Sequence, residues 1–127
     1  MTMTKAKDDE AIDKNASAMS FAEYQDRVLS TCIYPNVGSN FTYPALGLCG
    51  EAGEVAEKVK KVIRDKGGVL DDASRLALKK ELGDVAFYLT AMCSELGFTL
   101  EEVLQANVDK LQGRKERGTL QGSGDDR

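Results

Sequence analysis

Apolar residues recur at three- and four-residue intervals through four stretches of the chain, the spacing of one helical face rather than of a strand. Phe21, Tyr24, Val28 and Cys32 mark the first stretch, which Ser20 and Glu23 open as a capping box. Leu48, Ala52, Val55, Val59 and Val62 mark the second, predicted to start between Thr42 and Ala45 and to stop after Lys66 at Gly67 and Gly68. Leu78, Leu82, Val85, Leu89 and Leu96 mark the third, which begins between Asp71 and Ser74 and stops at Gly97. The fourth, capped by Thr99 and Glu102, carries Leu100, Leu104, Val108 and Leu111 and ends before Gly118. Each stripe is expected to face a core.

Between the first two helices, "YPNVGSNFTYP" holds both prolines and no regular period, so it reads as a loop. The polar opening residues and the closing "GTLQGSGDDR" lack periodic apolar positions. Residues 1–17 are therefore expected as a loose arm, 18–117 as one helical domain and 118–127 as a loose tail. The fold class is all-α, a bundle of four to five helices. Gly47, Gly50 and Gly53 sit inside the second helix, where each costs about 1 kcal/mol relative to alanine. That cost predicts close approach of another backbone or a ligand, or else an irregular helix start.

Advancing 100° per residue places the polar groups beside the apolar stripes. Glu51, Glu54, Lys58 and Lys61 border the stripe of the second helix. Glu81, Asp84, Tyr88 and Glu95 run beside the third, and Asn107, Lys110 and Arg114 flank the fourth. Two carboxylate pairs at i, i+3 on neighbouring helices are able to converge as oxygen ligands for Mg²⁺ or Mn²⁺. The cations beside them then suit a polyphosphate bridged by the metal. A plainer reading stands next to this one. A single Glu-x-x-Glu is most simply a solvated face, and Glu54–Lys58 and Glu57–Lys61 are ordinary i, i+4 pairs worth about 0.2–0.5 kcal/mol each. Taken alone, Lys110 and Arg114 are surface charges.

Bulk properties narrow the classes. The chain has 127 residues, 42% hydrophobic and 30% charged, as in one globular domain. Seventeen Lys and Arg against 21 Asp and Glu leave a net charge of −4, which argues against a nucleic-acid duplex or an anionic membrane as partner. No apolar run approaches a transmembrane span and the start lacks a signal-peptide core. Cys32, Cys49 and Cys93, odd in number, are expected as reduced thiols of a cytoplasmic protein. With no histidine, His-ligated zinc sites, Ser-His and Cys-His nucleophiles and the Glu-x-x-His di-iron motif are all ruled out.

Three segments, "GLCGEAGEVAEKVKKVIRD", "LKKELGDVAFYLTAMCSELG" and "NVDKLQGRKERG", resemble the MazG-type nucleotide pyrophosphohydrolases of the all-α NTP pyrophosphatase group. The signature Glu-x-x-Glu, spacer, Glu-x-x-Asp is met by Glu51, Glu54, Glu81 and Asp84, with 26 residues between Glu54 and Glu81. The likeness runs from about Phe21 to Gly118. It implies Mg²⁺-dependent hydrolysis of a nucleoside triphosphate to monophosphate and pyrophosphate, with those four carboxylates as metal ligands and catalytic groups. It also implies phosphate or ribose contacts from Lys61, Asn107, Lys110 and Arg114, a place for Gln25 in the nucleotide pocket, and a bundle completed as a homodimer or homotetramer. Glu54, bordering the apolar stripe less closely than Glu51, is the carboxylate expected to orient the attacking water. Two relatives of the same fold, a dUTPase and a phosphoribosyl-ATP pyrophosphohydrolase, and a non-catalytic helical nucleotide-binding module are the alternatives.

Overall fold

The computed structural model describes residues 17–127; the expected arm falls almost wholly outside them. Among the described residues there are four helices: α1 (Phe21–Thr31), α2 (Thr42–Lys66), α3 (Asp72–Glu95) and α4 (Leu100–Arg117). The capping chemistry sets their bounds. The Ser20 and Thr99 hydroxyls accept from the amides of Glu23 and Glu102, whose carboxylates accept in return from the cap amides. At the other ends, Gly67, Gly97 and Gly118 take left-handed φ values of 59°, 77° and 69°, which a side chain would strain. Asp71 caps α3 through the Ser74 amide at 2.7 Å and holds Lys66 at 2.8 Å, so the short α2–α3 turn is tied on both sides. No described helix is long and apolar enough to cross a membrane.

Because that turn is short, α2 and α3 form an antiparallel hairpin, which is the largest packing surface of the chain. The other two helices lie against α3 and touch each other, whereas α4 makes no contact with α2. The core centres on Val28, Tyr34 and Ala91, with Tyr24, Cys32 and Phe87 packed around them. Leu100 and Cys93 are also buried. The apolar stripes are only partly covered. Leu82 of the α3 stripe stays 57% exposed, and Val59, Leu96, Val108 and Leu111 are exposed as well; off the α2 stripe, Leu46 is 68% exposed and Ile63 65%. The stripes are apolar as expected, but the four described helices leave part of them uncovered.

Of the three glycines in α2, Gly47 has a visible reason. A Cβ there would stand 2.5 Å from Cδ1 and Cε1 of Tyr88, so the ring lies directly on the α2 backbone. At Gly50 and Gly53 a Cβ would meet open space. Gly47→Ala is accordingly expected to lose about 1–3 kcal/mol of stability by overpacking, and Gly50→Ala to gain about 0.5–1 kcal/mol from helix propensity. Urea midpoints that moved the same way in both variants would refute this account of Gly47.

Candidate metal centre

The contact between Gly47 and Tyr88 sets the register of the hairpin, and in that register Glu51 is level with Asp84 and Glu54 with Glu81. Carboxylate oxygens of Glu51, Glu81 and Asp84 all come within 4.8 Å of one another. Glu51 and Glu81 are half-buried at the α2–α3 seam, and Asp84 is exposed. Glu54 is exposed one turn along α2 and is not a member of this trio, although its charge is felt at Glu51. The structure thus gathers three of the four signature carboxylates and leaves the fourth beside them.

Gathering like charges has an electrostatic cost. Desolvation at the seam, then the charges of Asp84, Glu81 and Glu54, push the Glu51 carboxyl above its usual range, and a hydrogen bond with Glu81 favours its protonated form. Lys58 offsets part of the repulsion, its ammonium lying 3.2 Å from Glu81 Oε1. The donor set fits a hard divalent cation, since all three ligands are oxygen.

The other predicted site residues are distributed differently. Lys61 pairs loosely with Glu57 at 3.7 Å and, with Lys58 and Lys66, lines a groove of about 170 Å³ between α2 and the start of α3. Asn107 is exposed on α4. Lys110 lies 3.8 Å from Asp125, and Arg114 is buried at 5% exposure rather than being the surface charge its position suggested. Gln25 spends its amide on structure. Its Nε2 donates to Ser94 Oγ at 2.9 Å and to the Phe98 carbonyl at 3.0 Å, while its Oε1 accepts from the Leu100 amide at 2.8 Å.

Residues 41–119, which span the carboxylate trio and α4, match the MazG nucleotide pyrophosphohydrolase domain. The chain belongs to the MazG family. It is also similar to the gene 37 protein of Mycobacterium phage L5, 47% identical over 109 residues that cover 82% of this chain and 96% of that protein. No solved structure matches. MazG domains are nucleotide pyrophosphohydrolases and generally depend on a divalent metal, in keeping with the acidic cluster.

Beside the carboxylate trio this MazG chain builds an aromatic wall that periodicity did not anticipate. Tyr34 and Tyr43 stack at 5.0 Å, Tyr43 reaches Tyr88 at 6.4 Å, and Phe87 meets Tyr88 edge-on at 5.2 Å. Together with Cys32, Ile33 and Pro35 these rings line a cavity of about 280 Å³ one turn beyond Asp84. On α1, burial first and then the Asp84 charge raise the Tyr24 phenol above its usual range. The loop that supplies Tyr34 is pinned by Glu95. The Tyr34 hydroxyl and the Gly38 amide donate to Oε1 at 2.6 and 2.8 Å, and the Asn40 amide to Oε2 at 3.1 Å. Glu95, expected alongside Glu81 and Asp84, is therefore a loop anchor. The available signal was the pair of Tyr-Pro steps, Tyr34-Pro35 and Tyr43-Pro44, that frame the loop.

Proposed function

We propose that this MazG chain hydrolyses nucleoside triphosphates to the monophosphate and pyrophosphate, with Mg²⁺ or Mn²⁺ held by Glu51, Glu81 and Asp84 and completed by Glu54. The observation that carries this reading is the convergence of carboxylates from two helices within 4.8 Å, against an electrostatic cost that a bound dication removes. A cation there supplies charge neutralisation and lowers the pKa of a bound water. Glu54, outside the trio and open to solvent, is the carboxylate assigned to orient the attacking water. Lys58 and Lys61 in the adjoining groove suit the phosphate chain. Gln25 fastens α1 to the α3–α4 turn and is assigned a positioning role for the pocket.

Asn107, Lys110 and Arg114 lie on the helix that does not touch α2. Their contacts to ribose and phosphate are assigned to an assembled homodimer or homotetramer, which would also cover Leu82, Leu46 and Ile63. The protein is assigned to the cytoplasm, where nucleotides are free and its three unpaired thiols stay reduced.

The test is product analysis over a panel of ribo- and deoxyribonucleoside triphosphates with Mg²⁺. Monophosphate and pyrophosphate are expected in equal amounts, with activity lost on chelation and restored by Mg²⁺. Turnover confined to phosphoribosyl-ATP or to dUTP would move the chain to one of the related activities. Nucleotide binding with no pyrophosphate from any substrate would make it a non-catalytic module.

A further inference from the structure

We infer that residues 119–127 form a strap over an oxyanion site made by Lys110 and Arg114, with Asp125 standing where a phosphate group would sit. The inference rests on the assignment of those two cations to the nucleotide and adds a regulation of that site.

The strap is a closed loop with its own fastenings. It leaves α4 through Gly118 and turns at Gly122 and Gly124, whose φ values are 108° and 90°. The Arg127 guanidinium folds back inside it, donating to the Thr119 and Leu120 carbonyls, each at 3.1 Å, and to that of Gly124. Arg117 donates to the Arg127 carbonyl at 2.9 Å, and the Thr119 amide to the Arg114 carbonyl at 2.8 Å. Held this way, the strap delivers its polar groups to the α4 cations. Arg114 Nη2 donates to the carbonyls of Asp125 at 2.8 Å and Gly124 at 3.3 Å. Asp125 Oδ1 then lies 3.5 Å from Arg114 Nη2 and 3.8 Å from Lys110 Nζ.

Two features mark the site as one built for a better acceptor than the strap provides. Arg114 is 5% exposed, yet its Nε has no hydrogen-bond partner among the described residues. A buried donor left in that state is costly, and a guanidinium is shaped to give two parallel bonds to one phosphate or carboxylate. The strap offers Arg114 two neutral carbonyls and a carboxylate at ion-pair range, beyond the 2.7–2.9 Å of a charge-assisted bond. Second, the Asp125 side chain is 88% exposed, so its pairing with both cations is screened and weak. A phosphate anion, more highly charged and with several acceptor oxygens, competes for the same donors. Asp125 therefore acts as an occupant in cis, lowering affinity for phosphate-bearing ligands until they displace it.

Binding of inorganic tripolyphosphate, measured by calorimetry without added metal, tests this on the full chain. Asp125→Ala is expected to bind about three- to tenfold tighter than the parent, within the range that two solvent-screened ion pairs span. Asp126→Ala, an equal change in net charge at the adjacent exposed residue, is expected to match the parent. Equal affinity of Asp125→Ala and parent, an equal gain in Asp126→Ala, or no binding by any of the three overturns the strap. Turnover separates this from the catalytic reading. Tighter binding by Asp125→Ala with no pyrophosphate released by any variant upholds the strap and sinks the activity. Pyrophosphate release that is metal-dependent but without the gain in binding does the reverse.

Discussion

Glu81→Ala is expected to lower pyrophosphate release by more than about 100-fold while leaving stability within about 1 kcal/mol of the parent. The first half follows from place. Even residues that only support a metal ligand cost 10–100-fold when removed, and Glu81 is proposed as a ligand itself. The second half follows from electrostatics. After desolvation and the Asp84 charge, Glu81 is one of the neighbours that raise the Glu51 carboxyl, so its removal relieves part of that repulsion. The lost Lys58 contact is a partly exposed pair of small worth. Activity and stability should thus part company, as they do where a site is held at the expense of the fold. Thermal unfolding with and without Mg²⁺ sharpens the test. Saturating metal should raise the parent's midpoint and move that of Glu81→Ala far less, since a ligand that binds only the folded state stabilises it by mass action. A variant that turned over at the parental rate would end the assignment of the trio. One that lost activity only because it unfolded would leave Glu81 a structural residue.

Glu95→Ala is expected to cost about 2–4 kcal/mol and to dissolve the aromatic wall. Three donors converge on this carboxylate, one of them the hydroxyl of buried Tyr34, and alanine would leave that hydroxyl without its partner. The near-ultraviolet dichroism of the stacked Tyr34–Tyr43 pair should fall before the far-ultraviolet helix signal does. Acid gives an independent check. The Tyr34 hydrogen bond, with the Gly38 and Asn40 amides, holds the Glu95 carboxyl below its usual range. A group whose folded pKa is depressed contributes stability above its unfolded value, near pH 4.3, and loses it as pH falls through the folded one. The parent should therefore lose stability over that acid range more steeply than Glu95→Ala. Parallel curves would show that the carboxylate contributes nothing as a charge.

The helix bounds were legible because capping is local chemistry. Ser20 with Glu23, Thr99 with Glu102, and the glycines at 67, 97 and 118 act over three or four residues, which is the range a sequence pattern covers. Of the four carboxylates expected to converge, Glu51, Glu81 and Asp84 do so, because i, i+3 spacing on two joined helices leaves few ways to arrange the pairs, while Glu54 stays outside. Roles set by distant neighbours were not legible. Glu95 sits on the same helical face as Tyr88, two turns on, yet its partners lie 55 to 61 residues away in a loop without period. Gln25 meets its partners across 69 to 75 residues. Arg114 looked like surface charge because the segment that packs on it, 119–127, carries no periodic apolar signal. Leu82 and Val108 show the converse, for periodicity names an apolar face without saying whether one chain covers it.

The first half of α2 combines three glycines with the residues proposed to do the chemistry. Glu51 and Glu54 stand between and beside Gly50 and Gly53, where nothing packs against the missing side chains. Intrinsic preference makes this the softest span of the longest helix, so small backbone adjustments there are cheap. Downstream of Val55 the same helix is glycine-free and keyed to α3 through Lys58 and the groove. The result is a pliant midsection between two anchored ends, Gly47 under the Tyr88 ring on one side and Lys58 paired with Glu81 on the other. If Glu54 completes the proposed site, flexing of that midsection is the cheapest way to bring it inward.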